Sequence, residues 1–152
     1  YSCGAGANYG TALESALKMG ETIHIPSCCY EIEEYIHGPN LQLTPQYNVI
    51  FFDGNDGASH RVEQVYKATR KVTNRAYLIS NNPQLISDDH VLSLSDTVSS
   101  ELSPLAYLPF VQLLSFIVSN DLHSIYQHPL LKEFKAIAAA KTENFVNYDG
   151  DD

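Results

Sequence analysis

The chain has no tryptophan and one methionine, and it carries half as many basic as acidic residues: nine Lys plus Arg against eighteen Asp plus Glu, a net charge of −9. That shortage of cations argues against nucleic acid, whose phosphates need a basic face. It does not exclude a small anionic ligand, because a site can be locally positive on an acidic protein. Long hydrophobic runs are also missing. The greasiest stretch, Leu105 to Val118, is broken by Pro109, Gln112 and Ser115, so it reads as a buried helix and no membrane span is expected. Cysteine is scarce and odd in number: Cys3, Cys28 and Cys29. Three thiols, two of them adjacent, make a poor disulfide framework and lack zinc spacing. No metal or cofactor is expected, and a reduced, cytoplasmic setting is the default.

With 152 residues the chain can bury the core of one domain. YSCG, Tyr1 to Gly4, reads as a strand with no charged leader before it, as in the later part of a longer protein. AGANYG then reads as a loop where small residues allow close backbone approach. Thr11 is a candidate cap for a helix to about Gly20, with Glu14 three residues on as in a capping box, and with Leu13, Ala16 and Leu17 as its buried stripe. Thr22 to Ile25 alternates as a second strand stopped by Pro26. Tyr30 to His37 reads as a short helix closed by Gly38 and Pro39.

Tyr47 to Phe52, YNVIFF, has the composition of a strand buried on both faces. Asp53 to Gly57 is a turn. Ser59 to Val72 is an amphipathic helix with Val62, Val65, Tyr66 and Thr69 inward. Ala76 to Ile79 and Val91 to Leu94 are strands. Ser103 to Ser119 is a helix that tolerates Pro104 in its first turn and should kink at Pro109. A helix from about Leu130 to Ala140 and a frayed acidic tail, about 141–152, complete the chain.

This order, β-α-β-α-β-α-β-β-α, predicts a three-layer α/β/α sandwich around a mainly parallel, flavodoxin-like sheet, as one domain over 1–152. Ligands of such folds collect at the carboxyl ends of the strands. The loops there are GAGANYG and DGNDG. The first of these is weak as a phosphate cradle and reads more readily as a tight strand-to-helix turn.

The segment richest in chemistry is GTALESALKMGETIHIPSCCYEIEEYIHGP, Gly10 to Pro39. Glu14, Lys18 and Glu21 fall at helical spacing, which places two carboxylates and an ammonium on one face. His37 follows sixteen residues after Glu21, before Gly-Pro. A carboxylate, a lysine and a histidine are the parts needed to move protons on a sugar carbon. Read blandly, Glu21 is a solvated carboxylate, Lys18 an i,i+4 partner of Glu14, and His37 a helix-end histidine favoured by the dipole.

ALESALKMGE followed by HGP at that spacing resembles the sugar-isomerase (SIS) domain family, and within it the second such domain of glucosamine-6-phosphate synthases. The likeness runs over roughly residues 1 to 120, from the opening strand with Gly4 and Gly6 to the proline-containing helix around Pro109 to Leu114. EEYIHGPNLQLTP is closer to the related aminotransferase or fructosamine-deglycase proteins.

The resemblance implies the following roles. Glu21 is the base that shuttles a proton between C1 and C2 of a fructose 6-phosphate-like sugar. His37 assists ring opening, reaching into the neighbouring subunit of a homodimer. Lys18 and Glu14 position sugar and base. Gly4 and Gly6 are expected near substrate. The substrate would be a phosphosugar or amino-sugar phosphate, and the chain would be the carboxy-terminal half of a two-SIS protein. Synthesis by amination, fructosamine deglycation and non-catalytic sugar-phosphate sensing remain three readings. The family's imine-forming lysine has no matching context here, and Lys132, Lys135 and Lys141 are its candidates.

Overall fold

The computed structural model describes residues 1–85, 88–94, 98–124 and 136–138. In chain order the elements are β1 (Ser2–Gly4), α1 (Asn8–Ile23), β2 (Cys29–Glu31), α2 (Ile32–Ile36), β3 (Val49–Asp53), α3 (Ser59–Thr69), β4 (Ala76–Ser80), β5 (Val91–Ser93) and α4 (Ser103–Asp121), with single-turn 3-10 helices at Pro39–Gln42 and Pro83–Leu85. The five strands form one sheet in the order β2-β1-β3-β4-β5, and every pair is parallel. This is the flavodoxin-like order, with its switch point between β1 and β3.

β3 shows why the sheet is enclosed. Val49 and Phe51 point into a core with Cys3, Leu78, Tyr35, Val62, Val65 and Tyr66 under α2 and α3. Phe52 points the other way, into a core with Ala12, Ile79, Tyr107 and Val111 under α1 and α4. Both phenylalanines are fully buried, each stabilising the fold by about 1.5–3 kcal/mol. α3 buries Val62, Val65, Tyr66 and Thr69, the i, i+3, i+4, i+7 stripe its sequence predicts. It ends at Thr69, before the expected Val72.

Several expectations are corrected. α1 starts at Asn8, with Ala7 before it and no side-chain cap. Thr11 sits inside the helix, buried, its hydroxyl donating to Asn8 Oδ1 at 3.0 Å. α1 continues through Thr22 and Ile23, so the strand expected there is the helix's last turn, and β2 begins at Cys29. Glu31, at the end of β2, caps α2 by accepting from the Glu33 amide at 2.6 Å. Gly38 has φ 166, extended and not left-handed; it leads into the 3-10 turn that Pro39 opens.

The buried faces of α1 and α4 also differ from expectation. α1 buries Asn8, Thr11, Ala12, Ser15, Ala16 and Ile23, while Leu13 and Leu17 are 46% and 53% exposed. α4 buries Ser103, Tyr107, Val111, Ser115 and Ser119 and leaves Leu105, Leu113, Phe116 and Ile117 on the surface. The two helices pack through small and hydroxyl side chains because these let their backbones come close. α4 runs unbroken through Pro109. By length and mean hydropathy (1.2) it matches a membrane span, although its serine-rich stripe is buried within the domain. The expected 130–140 helix and the acidic tail lie outside the described residues, apart from 136–138.

Candidate active site

α1 leaves the carboxyl edge of the sheet after β1 and runs back to the amino edge before β2. Along it Lys18 Nζ lies 2.7 Å from Glu21 Oε2 and 3.5 Å from Glu14 Oε1. Lys18 is the bridge: its ammonium donates to Glu21 and sits in the field of both carboxylates, which raises its pKa, the Glu21 hydrogen bond being the largest cause. All three side chains reach solvent, Glu21 the most at 49% exposure. Pairs this exposed contribute about 0.3–0.5 kcal/mol. The cluster's effect is therefore to orient: a salt-bridged carboxylate is held, half exposed, near the amino edge.

The turn that carries Glu21 is pinned. The Thr22 hydroxyl donates to Lys18 O at 2.7 Å, and the Ser124 hydroxyl, 102 residues away in sequence, donates to Thr22 O at 2.7 Å. His24 then leaves the helix with φ 62, a left-handed conformation uncommon outside glycine, in which histidine is among the enriched residues.

His37 stands elsewhere. It follows α2, on the face that α2 shares with α3, and its amide donates to Glu34 O at 3.1 Å. It is exposed. Its neighbour Glu33 takes two bonds from Arg61, at 2.6 and 3.1 Å. That hydrogen bond, ahead of other causes, lowers the Glu33 pKa. Glu21 belongs to the α1–α4 layer and His37 to the α2–α3 layer, so within one chain the sheet stands between them.

Gly4 and Gly6 lie at the carboxyl edge, and from Asn8 to Glu21 α1 rises about 20 Å. Gly4 is there for packing: a Cβ would stand 2.3 Å from Asn8 O. Gly6 has φ 53, which favours glycine.

The residues that sequence reasoning missed are at this edge. Asp53, 1% exposed, accepts from Ser59 Oγ and the Asn55 amide through Oδ1 and from Ser80 Oγ through Oδ2. Tyr107 donates to Asp53 O at 2.7 Å, and Asn8 Nδ2 donates to Ser103 Oγ at 2.7 Å. Asp56 takes the Ala58 amide. A phosphate cradle offers unpaired N–H groups. Here Asp53 takes the Asn55 amide and Asp56 the Ala58 amide, so two of the N–H groups of this edge are already paired with carboxylates. The sequence signal was an Asp ending a buried strand, with Ser and Asn at the ends of neighbouring elements. Among the described residues no three His, Cys, Asp or Glu side chains gather as a metal site.

The doubly wound parallel sheet is the fold shared by solved phosphosugar-isomerase-type structures. The chain has that fold, and its sequence resembles the glutamine–fructose-6-phosphate aminotransferases (isomerizing). It is 31% identical to the enzyme of Methanothermobacter thermautotrophicus over 122 residues, 78% of this chain and 20% of that one. It is 28% identical to the Xylella fastidiosa enzyme over 115 residues, 74% of this chain and 19% of that one. It therefore spans about a fifth of the curated relatives it matches. No family model matches.

Among solved structures, a candidate phosphosugar isomerase from Clostridium difficile superposes with TM-score 0.76 at 22% identity, over 92% of this chain and 39% of that one. The C-terminal domain of the Francisella tularensis glucosamine–fructose-6-phosphate aminotransferase gives 0.65 at 23%, over 78% and 35%.

Proposed function

We propose that this domain supplies half of an aldose–ketose isomerising site for a phosphosugar or amino-sugar phosphate, in the manner of the aminotransferases it resembles. The observation that carries the proposal is the Lys18–Glu21 contact, a lysine-held carboxylate at an exposed helix end. Glu21 takes the proton from C1 of the open-chain ketose, leaves an enediol or enolamine, and returns the proton to C2. Between the two transfers the proton on exposed Glu21 exchanges with solvent, and no oxidant is needed. Lys18 and Glu14 hold Glu21 and the sugar hydroxyls. His37 of a second copy passes a proton to the ring oxygen during opening. Gly4 and Gly6, at the other end of α1, serve packing in this reading.

The apolar strip on α1 and α4 supports an assembled form. Leu13, Leu17, Leu105, Leu113, Phe116 and Ile117 all face solvent on adjacent helices, a patch of the kind that marks an interface. A second sugar-isomerase unit on this strip, together with a homodimer that brings in His37, would complete the site. Lys132, Lys135 and Lys141, the imine candidates for amination or for fructosamine deglycation, lie outside the described residues. A sensor reading has one point in its favour. A Salmonella typhimurium protein with a sugar-binding name matches at 28% identity and TM-score 0.64 over 77% of this chain, 36% of that one.

Full-length protein with fructose 6-phosphate in heavy water separates the two. An enzyme incorporates deuterium at C1 or C2; a sensor binds without incorporation. Glu21→Gln is expected to abolish incorporation and to leave binding within about tenfold, some 1.4 kcal/mol. Incorporation unchanged in that variant would falsify the base assignment.

A further inference from the structure

We infer that Ser124 is a positioning residue for the Glu21 turn, an inference that rests on the proposed isomerising role of Glu21. The last carbonyls of a helix have no partner within it. In α1 one of these, Thr22 O, is met by the Ser124 hydroxyl at 2.7 Å. The same hydroxyl is 3.4 Å from Ser119 O, so its single proton belongs to the shorter contact. Ser124 is itself fixed by how α4 ends. The His123 amide donates to Asn120 O at 3.1 Å and the Ser124 amide to Ser119 O at 3.0 Å, the paired bonds of a Schellman stop. His123 takes the left-handed position with φ 51.

Glu21 is thus pinned from both sides. Upstream, Lys18 O is held by the Thr22 hydroxyl, and Lys18 Nζ holds the Glu21 carboxylate. Downstream, Thr22 O is held by Ser124, and His24 turns the chain sharply at φ 62. Without Ser124 the Thr22 carbonyl loses its bond to the end of α4, and the last turn of α1 is freer to fray. The carboxylate would then drift by a fraction of a turn, enough to spoil proton transfer while leaving the sugar's other contacts in place.

The test uses full-length protein with the variants Ser124→Ala and Ser124→Thr. Deuterium incorporation into fructose 6-phosphate gives kcat and KM, and amide hydrogen exchange reads residues 20–23. Ser124→Ala is expected to lower kcat at least tenfold with KM within twofold, and to lose protection at 20–23. Ser124→Thr, which keeps the hydroxyl, should restore both. Should Ser124→Ala unfold, Ser124→Cys, a much weaker donor, carries the same expectations. An unchanged kcat, a rise in KM alone, or no rescue by threonine overturns the positioning role by itself. Wild-type protein that incorporates no deuterium overturns the isomerase reading and this role together.

Discussion

Replacing Gly4 by alanine should unsettle the whole β1–α1 junction. The added methyl would stand 2.3 Å from Asn8 O, 2.7 Å from Asn8 C and 3.2 Å from Tyr9 N. All three are backbone atoms of the first turn of α1, so no rotamer change relieves the clash. Reaching an ordinary contact of about 3.4 Å means moving that turn by roughly 1 Å. The move strains the Asn8 amide's bond to Ala5 O, now 3.0 Å, and the Asn8–Ser103 bond, now 2.7 Å and buried. Overpacking of this kind costs about 1–3 kcal/mol, and weakening one buried hydrogen bond adds about 1. The total is about 2–4 kcal/mol, or a fall in Tm of about 5–15 °C for a chain of this length. Gly10 is the control. It lies in the same helix with nothing within 4 Å of an added Cβ, so Gly10→Ala should stabilise by about 0.5–1 kcal/mol. Urea and thermal unfolding of both variants decide the matter. If Gly4→Ala stays within about 0.5 kcal/mol of wild type, or if both variants fall equally, the steric argument is wrong.

Leu113→Lys combined with Phe116→Lys should leave unfolding of the chain within about 1 kcal/mol of wild type, since both residues are more than half exposed. It should dissociate an assembly built on α4, read by sedimentation velocity, and unchanged sedimentation would remove α4 from the interface. In the native protein exposed Cys28 should react with iodoacetamide while Cys3 does not, because burial pushes the Cys3 thiol up to about 12. Burial likewise lifts Tyr35 to about 12. Both raised values give stability that is complete below the unfolded values, 9 for the thiol and 10 for the phenol, and is lost as pH rises toward 12. Urea midpoints measured between pH 8 and 11 should therefore fall, and a flat profile would contradict the burial of these groups.

The sheet was legible in the sequence because β3 and α3 obey the apolar-inward pattern: Val49, Phe51 and Phe52 are buried as read, although the strand starts at Val49 and leaves Tyr47 and Asn48 outside it, and the Val62-Val65-Tyr66-Thr69 stripe faces the core. The Glu14-Lys18-Glu21 face was legible too, since helical spacing alone brings those groups together. α1 and α4 were misread for a physical reason. Counting large apolar residues assumes that they seek their own core, but helices packing closely want Ala and Ser at the contact, and Ala12, Ser15, Ser115 and Ser119 took it. The alternation of Thr22 to Ile25 suggested a strand; Thr22 instead bonds back to Lys18 O and extends the helix. β2 escaped notice because three half-buried residues, Cys29 to Glu31, carry no period. The Asp53 network could not be seen either, since its members become neighbours only when four connections close over the strand ends.

One property of the sheet bears on how the chain comes to be folded at all. Ser2 pairs with Cys29 on one side and with Ile50 on the other. A chain emerging amino end first, at about 5–20 residues per second, keeps β1 waiting several seconds for its inner neighbour. Through that interval one edge of a strand destined for the interior stays unpaired and open to wrong company. Nascent chains of this protein should therefore lean on chaperones until Asp53 has been made, and much less afterwards.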